Sequence, residues 1–131
     1  MNETARHVVV GVDDDYRVRE SIASLVESAG YAPSVFSSAE QFLESGSVAG
    51  AACVITDVRM PGIDGLELAR RIRLCNPRLP IIFISAHYDD RVRQRALEEG
   101  AIGFLFKPFD AVELLDAIHA ALVDSQGKVP E

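Results

Sequence analysis

The sequence predicts a three-layer α/β sandwich, in which helices cover both faces of a parallel β-sheet. Three observations lead to this fold class. Five short apolar segments recur along the 131-residue chain, each is followed by a segment with helical periodicity, and the helical segments carry start or stop signals. Strands that are apolar along their whole length are typical of a parallel sheet buried on both faces. Strand–helix alternation with right-handed crossovers then gives the sandwich.

The five predicted strands are short and mostly aliphatic. In chain order they are residues 7–12, 32–36, 51–56, 81–84 and 102–106, of which the second is the weakest. The last predicted helix ends near Val123, and a short polar segment follows it. We therefore expect one domain over residues 1–124, and a C-terminal tail or the start of a linker over residues 125–131.

The first two helices are predicted from an apolar stripe and from a capping pattern. Val18 and Ile22 begin a stripe at helical spacing, and Gly30 is a suitable C-terminal stop. Ser37 and Glu40 form a capping-box pattern, in which two side chains three residues apart bond the free backbone amides of a helix start.

Acidic residues mark the starts of the other three helices. Asp64 precedes the third helix, Asp89 or Asp90 the fourth, and Asp110 the fifth. A carboxylate in this position caps the helix by accepting a hydrogen bond from a backbone amide of the first turn. Asp15 is expected to cap the first helix in the same way.

The composition excludes several classes of protein. The chain is 48% hydrophobic with a formal net charge of −7, which disfavours nucleic-acid binding by this domain itself. Its apolar runs are far shorter than the roughly 20 residues that span a membrane, and residues 1–7 lack the apolar core of a signal peptide. Cys53 and Cys75 have no paired spacing and are expected to be reduced thiols. We therefore expect a cytoplasmic protein without a membrane partner.

Polar residues with chemical potential stand where the predicted strands end. Asp13 and Asp14 follow the first strand, Asp57 the third, Ser85 the fourth and Lys107 the fifth. Taken singly, each has an ordinary structural interpretation, such as a helix cap, a turn hydroxyl or a surface lysine. Ligands bind to open parallel sheets at the carboxyl ends of the strands, so we expect these five side chains on one rim.

The chemistry of this group favours a hard cation and phosphorus. Three carboxylates on one rim repel one another unless a cation or protons neutralise them. Oxygen ligands suit Mg²⁺, and no His or Cys lies at zinc-ligand spacing. One carboxylate could then attack phosphorus, while Lys107 and the Ser85 hydroxyl meet the phosphoryl oxygens.

Four motifs resemble the receiver domain of two-component response regulators. They are V-D-D-D at 12–15, T-D-V-R-M-P-G-I-D-G at 56–65, I-S-A at 84–86 and F-K-P-F at 106–109. Each stands at a predicted strand end, and the resemblance covers residues 6–124. It implies a flavodoxin-like doubly wound (βα)5 fold with strand order 2-1-3-4-5.

The resemblance also implies roles for the site residues. Asp57 would be the phosphoacceptor, and Lys107 would contact the phosphoryl group. The ligands of Mg²⁺ would be Asp13, mostly through a bound water, Asp14, Asp57 and the backbone carbonyl of Arg59.

Further roles concern the conformational switch. The resemblance makes Ser85 the switch hydroxyl, where Thr is more frequent, and Phe104 the switch aromatic, where Tyr is more frequent. It implies a cis peptide bond between Lys107 and Pro108. From their positions two residues beyond Asp57 and Ser85, we expect Arg59 and His87 to set the lifetime of the acyl phosphate.

As a function, the resemblance implies phosphorylation of Asp57 by a sensor histidine kinase or a small phosphodonor. The phosphoryl group would shift the domain toward an active state that controls an output domain or partner, for example a transcriptional one. The expected chemistry is limited to the domain's own phosphorylation and dephosphorylation. The face made by the fourth helix, fifth strand and fifth helix could form a homodimer. The fourth helix carries three arginines that are either a solvated surface or part of such a contact: Arg91, Arg93 and Arg95.

Three other interpretations are open to test. A haloacid-dehalogenase-type phosphatase needs a second Asp two residues after its nucleophile, and here Arg59 stands there. A cofactor-binding module needs a phosphate loop rich in Gly or Ser/Thr, whereas three aspartates follow the first strand. A degenerate receiver used only for docking is disfavoured by the complete set of site residues.

Overall fold

The computed structural model, which describes residues 6–87 and 89–127, has five strands that alternate with five helices. The strands are β1 (Val8–Val12), β2 (Ala32–Phe36), β3 (Cys53–Asp57), β4 (Ile81–Ser85) and β5 (Gly103–Phe106). The helices are α1 (Tyr16–Ser28), α2 (Ala39–Glu44), α3 (Gly65–Cys75), α4 (Asp90–Glu98) and α5 (Ala111–Gly127).

The strands form one parallel sheet in the order β2-β1-β3-β4-β5. This confirms the predicted flavodoxin-like fold and its strand order. Because β1 and β3 lie side by side in the register Val12↔Thr56, the residues directly after Val12 and Thr56 lie next to each other. The strand order therefore brings Asp13 and Asp57 to the same edge of the sheet.

Apolar side chains pack against both faces of the sheet. Val9 and Ile55 lie on one face with buried residues of α1 and α5, while Val10, Val54 and Phe83 lie on the other with buried residues of α2, α3 and α4. All residues of β3 and β4 are buried, which explains why both appear in the sequence as unbroken apolar runs. The two cysteines are free thiols.

Most of the predicted helix caps are present. Asp15, Asp64 and Asp89 are the N-caps of α1, α3 and α4, and each carboxylate accepts a hydrogen bond of 2.9 Å from a backbone amide of its helix. These bonds satisfy amide groups that have no partner within the helix itself.

The capping box predicted for α2 is wrong by one residue. Ser38, not Ser37, is the N-cap, and its Oγ accepts from the amide of Gln41 at 3.1 Å. The side chain of Gln41 reaches back and accepts from the amide of Ser37 at 3.1 Å. Since α2 begins at Ala39, the third helical position is Gln41, and the carboxylate of Glu40 turns to another part of the chain.

Helix α5 extends beyond its predicted end. It runs to Gly127 instead of ending near Val123, because no proline interrupts the sequence there and glycine is the first helix-stopping residue. The expected tail at 125–131 is thus helical over 125–127, and residues 128–131 lie outside the described residues. Among the described helices, none combines the length and the hydropathy that a membrane crossing requires.

Candidate functional site

Three carboxylates converge at the carboxyl edge of the sheet. Asp13 and Asp14 follow β1, Asp57 is the last residue of β3, and one oxygen of each lies within 4.8 Å of the others. Asp13 and Asp57 are buried, whereas Asp14 is exposed. The cluster therefore consists of oxygen ligands only and opens to solvent on the side of Asp14, which is the arrangement that a hydrated hard cation requires.

Lys107 lies against the two buried carboxylates. Its Nζ is 2.8 Å from Asp13 Oδ2 and 3.1 Å from Asp57 Oδ2. The contact with Asp57 is also a hydrogen bond, whereas the buried Asp13 Oδ2 receives no well-directed hydrogen bond. A carboxylate oxygen has more than one lone pair, so Asp13 Oδ2 can meet a cation as well as Lys107, and the three clustered carboxylates fit a metal ion here.

Local bonds hold the Asp13 carboxylate in place. Its Oδ1 accepts from the amide of Asp15 at 2.8 Å, and its backbone carbonyl accepts from the guanidinium of Arg19 at 2.8 Å. Its backbone amide donates to the carbonyl of Phe36 at 3.2 Å, which joins the end of β1 to the end of β2. These bonds leave Oδ2 as the oxygen that faces Lys107 and the other carboxylates.

The pKa values of Asp57 and Lys107 both shift upward. Burial raises the pKa of Asp57, the charge of Asp13 raises it further, and Lys107 and the amide of Arg59 act in the opposite direction. Burial alone would lower the pKa of Lys107, but its close contact with the Asp13 carboxylate, followed by its contact with Asp57, outweighs burial and raises it. In the metal-free site, the carboxylates therefore carry more negative charge than Lys107 neutralises.

Asp57→Asn is expected to stabilise the metal-free domain at neutral pH, with a rise in Tm of about 4 °C for each 1 kcal/mol gained. The amide removes the repulsion with Asp13 while Lys107 keeps its contact with Asp13. Because the pKa of Asp57 is raised on folding, its contribution to stability is present below the unfolded pKa and is lost as pH rises through the folded pKa. Thermal melts in EDTA should therefore show a gap between variant and wild type that widens over this window and then stays constant. A variant that melts below wild type at neutral pH would contradict this assignment.

Ser85 reaches the rim, but its hydroxyl bonds within its own loop. It is the last residue of β4 and 1% exposed, and its Oγ accepts from the amide of His87 at 3.0 Å and donates to the carbonyl of the same residue at 3.3 Å. Phe104 is half-buried on β5, two residues before Phe106, which is the register partner of Ser85. The rings of Phe104 and Phe106 meet edge to face, with 5.3 Å between their centroids. Both proposed switch residues are thus present, with Ser85 bonded to His87.

The remaining predicted residues follow the ends of β3, β4 and β5. Arg59 and His87 are both exposed, and the amide of Arg59 lies 3.4 Å from Asp57 Oδ1. The Lys107–Pro108 peptide bond is cis. The proline follows directly on the lysine whose amine meets the carboxylates.

Two residues that support the site were not identified from the sequence. Arg19 bonds the carbonyl of Asp13, and Glu40 accepts a hydrogen bond from the amide of Ile63 at 3.0 Å. Arg19 could have been found from its place one turn into the helix after Asp13. Glu40 had no such signal, because its partner lies 23 residues away along the chain.

Comparison with known proteins places this chain in a family with many known members. The sequence profile of the family described as "Response regulator receiver domain" matches residues 9–119. The chain is 44% identical over 115 residues to response regulator protein TodT of Pseudomonas putida, covering 88% of this chain and 51% of that protein. It is 41% identical over 111 residues to transcriptional regulatory protein FixJ of Azorhizobium caulinodans, covering 85% of this chain and 53% of that one.

The solved structures agree with the sequence comparison. The crystal structure of a response regulator receiver domain protein from Clostridium thermocellum superimposes with a TM-score of 0.86 at 28% identity, covering 92% of this chain and 97% of that chain. The present chain spans about half the length of the curated relatives it matches, 51% of TodT and 53% of FixJ.

Proposed function

Because this chain belongs to the response regulator receiver domain family, we propose that its site stores a signal as a phosphoryl group on Asp57, with Mg²⁺ as the cofactor. Receiver domains of two-component response regulators act as phosphorylation-dependent switches and are phosphorylated by sensor kinases. The observation that carries the proposal is the group of three carboxylate oxygens within 4.8 Å, beside a lysine that contacts two of the carboxylates.

The proposed ligands of Mg²⁺ are Asp13, Asp14, Asp57 and the backbone carbonyl of Arg59. The ion would offset negative charge on the phosphoryl oxygens and on the carboxylates. Support comes from the buried Asp13 Oδ2, which lacks a directed hydrogen bond, and from the absence of His and Cys among the residues that form the cluster.

The proposed reaction is a transfer between two nucleophiles. A carboxylate oxygen of Asp57 attacks the phosphorus of a phosphohistidine or a small phosphodonor, so that a P–O bond forms and the bond to the donor breaks. The leaving group departs with the electron pair and takes a proton from solvent. Water later attacks the acyl phosphate, which releases phosphate and restores the carboxylate. Lys107 would hold the transferred group in position and neutralise part of its charge.

The proposed switch uses Ser85 and Phe104. The hydroxyl of Ser85 would leave its bonds with His87 and donate to a phosphoryl oxygen, and Phe104 would turn into the space that is vacated. Support comes from the position of the two residues on neighbouring strands. The loop bonds of Ser85 join uncharged groups, and a bond to a phosphoryl oxygen would be charge-assisted and therefore stronger.

The proposed partners are a sensor histidine kinase and an output unit. TodT is named a response regulator protein and FixJ a transcriptional regulatory protein, and this chain matches about half of each, so we propose a transcriptional output. The α4–β5–α5 face is the proposed homodimer surface, and the apolar Leu97 of α4 and Ile102, directly before β5, are 47% and 42% exposed. We also propose a cytoplasmic location and no direct contact with nucleic acid, given the net charge of −7.

Incubation with a small phosphodonor and Mg²⁺ tests the proposal. Intact-protein mass spectrometry should show the mass of one added phosphoryl group with Mg²⁺ and none with EDTA. A phosphomonoester should not be turned over, because Arg59 occupies the position where a phosphatase of the haloacid-dehalogenase type needs its acid. Steady turnover of a phosphomonoester would favour the phosphatase interpretation and contradict the proposal.

Arg59 and His87 are proposed to set the lifetime of the acyl phosphate, since both side chains are exposed beside Asp57 and Ser85. The double variant Arg59→Ala/His87→Ala should lose the label several-fold faster than wild type, because water reaches phosphorus through a wider opening. Decay of the phosphorylated mass after removal of the donor measures this. Arg91→Ala, an exposed arginine on α4, is the control. An unchanged decay rate in the double variant would refute the assignment.

A further inference from the structure

The loop between β3 and α3 carries a proposed metal ligand that is not a side chain. This loop runs from residue 58 to residue 64 and includes Arg59, whose backbone carbonyl is expected to face the cation. A side-chain ligand can adjust its position by changing its rotamer, whereas the position of a carbonyl ligand is set by the conformation of the loop backbone. Whatever fixes this loop therefore fixes part of the site.

One carboxylate from another element holds the loop. Glu40 lies on α2, and its Oε2 accepts a hydrogen bond of 3.0 Å from the backbone amide of Ile63. This bond lowers the pKa of Glu40, so the group is ionised at neutral pH and the hydrogen bond is charge-assisted. It is a long-range contact, because the two residues lie 23 positions apart.

The neighbouring glycines show how closely the loop is seated. Gly62 has a φ of +77°, a left-handed conformation, and a Cβ there would overlap Oε2 of Glu40. At the far end the amide of Gly65 donates to the carbonyl of Val58 at 2.8 Å, and a Cβ on Gly65 would overlap the carbonyl oxygen of Asp57. The backbone of the loop thus rests on Glu40 at one point and on the end of β3 at another.

We propose that Glu40 is a positioning residue for the metal site: it anchors the β3–α3 loop so that the Arg59 carbonyl is set for Mg²⁺ before the ion arrives. The inference rests on the proposed function of Asp57 and extends it to a residue on α2. Glu40 itself is not one of the clustered carboxylates that would hold the cation, and its Oε2 accepts from the loop amide instead. Preorganised outer groups of this kind typically change metal affinity by about 10-fold to 100-fold when they are removed.

Three substitutions separate reach, charge and acceptor capacity at position 40. Glu40→Ala removes the acceptor, Glu40→Asp keeps the charge but shortens the side chain by one methylene, and Glu40→Gln keeps a carbonyl oxygen at the same reach. We expect Glu40→Ala and Glu40→Asp to weaken Mg²⁺ binding by about tenfold and Glu40→Gln by about twofold or less. Glu44→Ala, which removes an exposed carboxylate from the same helix, should match wild type.

Calorimetric titration with MgCl₂ gives the Mg²⁺ affinities. Amide hydrogen exchange in EDTA measures how well the Ile63 amide is protected by its bond to Glu40 when no metal is present. Glu40→Ala should exchange faster at Ile63 than Glu44→Ala, and Glu40→Gln should restore protection. Equal Mg²⁺ affinity in Glu40→Ala and Glu44→Ala would overturn the positioning role while leaving the proposed function intact. A wild-type domain that binds no Mg²⁺ would overturn the proposed function, and the positioning role with it.

Discussion

Replacing Asp13 and Asp14 together by Asn is expected to weaken Mg²⁺ binding by about 100-fold or more, and to abolish Mg²⁺-dependent phosphorylation at the same donor concentration. The two residues supply two of the three carboxylates that come within 4.8 Å of one another. Asn keeps the size of each side chain but removes the charge that a hard cation requires. Calorimetric titration with MgCl₂ and mass spectrometry after exposure to a phosphodonor measure the two effects.

Asp15→Asn is the matched control for this experiment. It removes one negative charge from the next residue along the chain, and Asn is as good an N-cap for α1 as Asp. In wild type, the carboxylate of Asp15 accepts a hydrogen bond from the amide of Arg17 and lies outside the carboxylate cluster. We expect Mg²⁺ affinity within about twofold of wild type, since only long-range charge is altered. A double variant that binds Mg²⁺ as tightly as this control would place the cation elsewhere.

Lys107→Met is expected to destabilise the metal-free domain by about 3 kcal/mol, which corresponds to a fall in Tm of about 10 °C. The lysine is the cation at 2.8 Å from the fully buried Asp13 and at 3.1 Å from Asp57. Without it, two buried carboxylates face each other, and the pKa of Asp57 rises further. Saturating Mg²⁺ should therefore stabilise this variant by more than it stabilises wild type, through the usual linkage of ligand binding to folding.

Thermal melts in EDTA and in Mg²⁺ test the role of Lys107. Arg91→Met is the control, because Arg91 is an exposed cation whose ion pair with Asp89 has a length of 3.9 Å. Its substitution should change stability by about 0.5 kcal/mol or less. Equal melting temperatures of the two variants in EDTA would show that the lysine does not neutralise the buried carboxylates. The loss in the lysine variant should also shrink at acidic pH, where protons replace the missing charge.

The sequence predicts the fold well because the central strands β3 and β4 are buried on both faces and because strands and helices alternate along the chain. Strand β4 is seen as the apolar run 81–84 and is observed as Ile81–Ser85, and β2 has the predicted bounds Ala32–Phe36. A parallel sheet of this kind leaves few choices of topology once alternation is recognised. Because parallel strands end at the same edge of the sheet, the sequence also predicts that the residues at these strand ends share one rim.

Other features depend on geometry that no local pattern encodes. Helix α2 begins one residue later than predicted, so its N-cap is Ser38 instead of Ser37. Gln41 therefore takes the third helical position that was predicted for Glu40. The contact between Glu40 and Ile63 depends on how α2 packs beside the β3–α3 loop. The orientation of the Ser85 hydroxyl toward His87 is equally a property of the folded loop. Such contacts join distant or freely rotating groups, so residue types and spacing do not specify them.

Locating the phosphoryl group on one residue tests the central claim most directly. Wild type, Asp57→Asn and the control Asp64→Asn, an exposed helix cap on the same loop, should be exposed to a small phosphodonor with Mg²⁺ and examined by mass spectrometry. We expect wild type and Asp64→Asn to gain one phosphoryl group, and Asp57→Asn to gain none. An unlabelled wild type, or equal labelling of Asp57→Asn, would contradict the assignment of Asp57 as the phosphoacceptor.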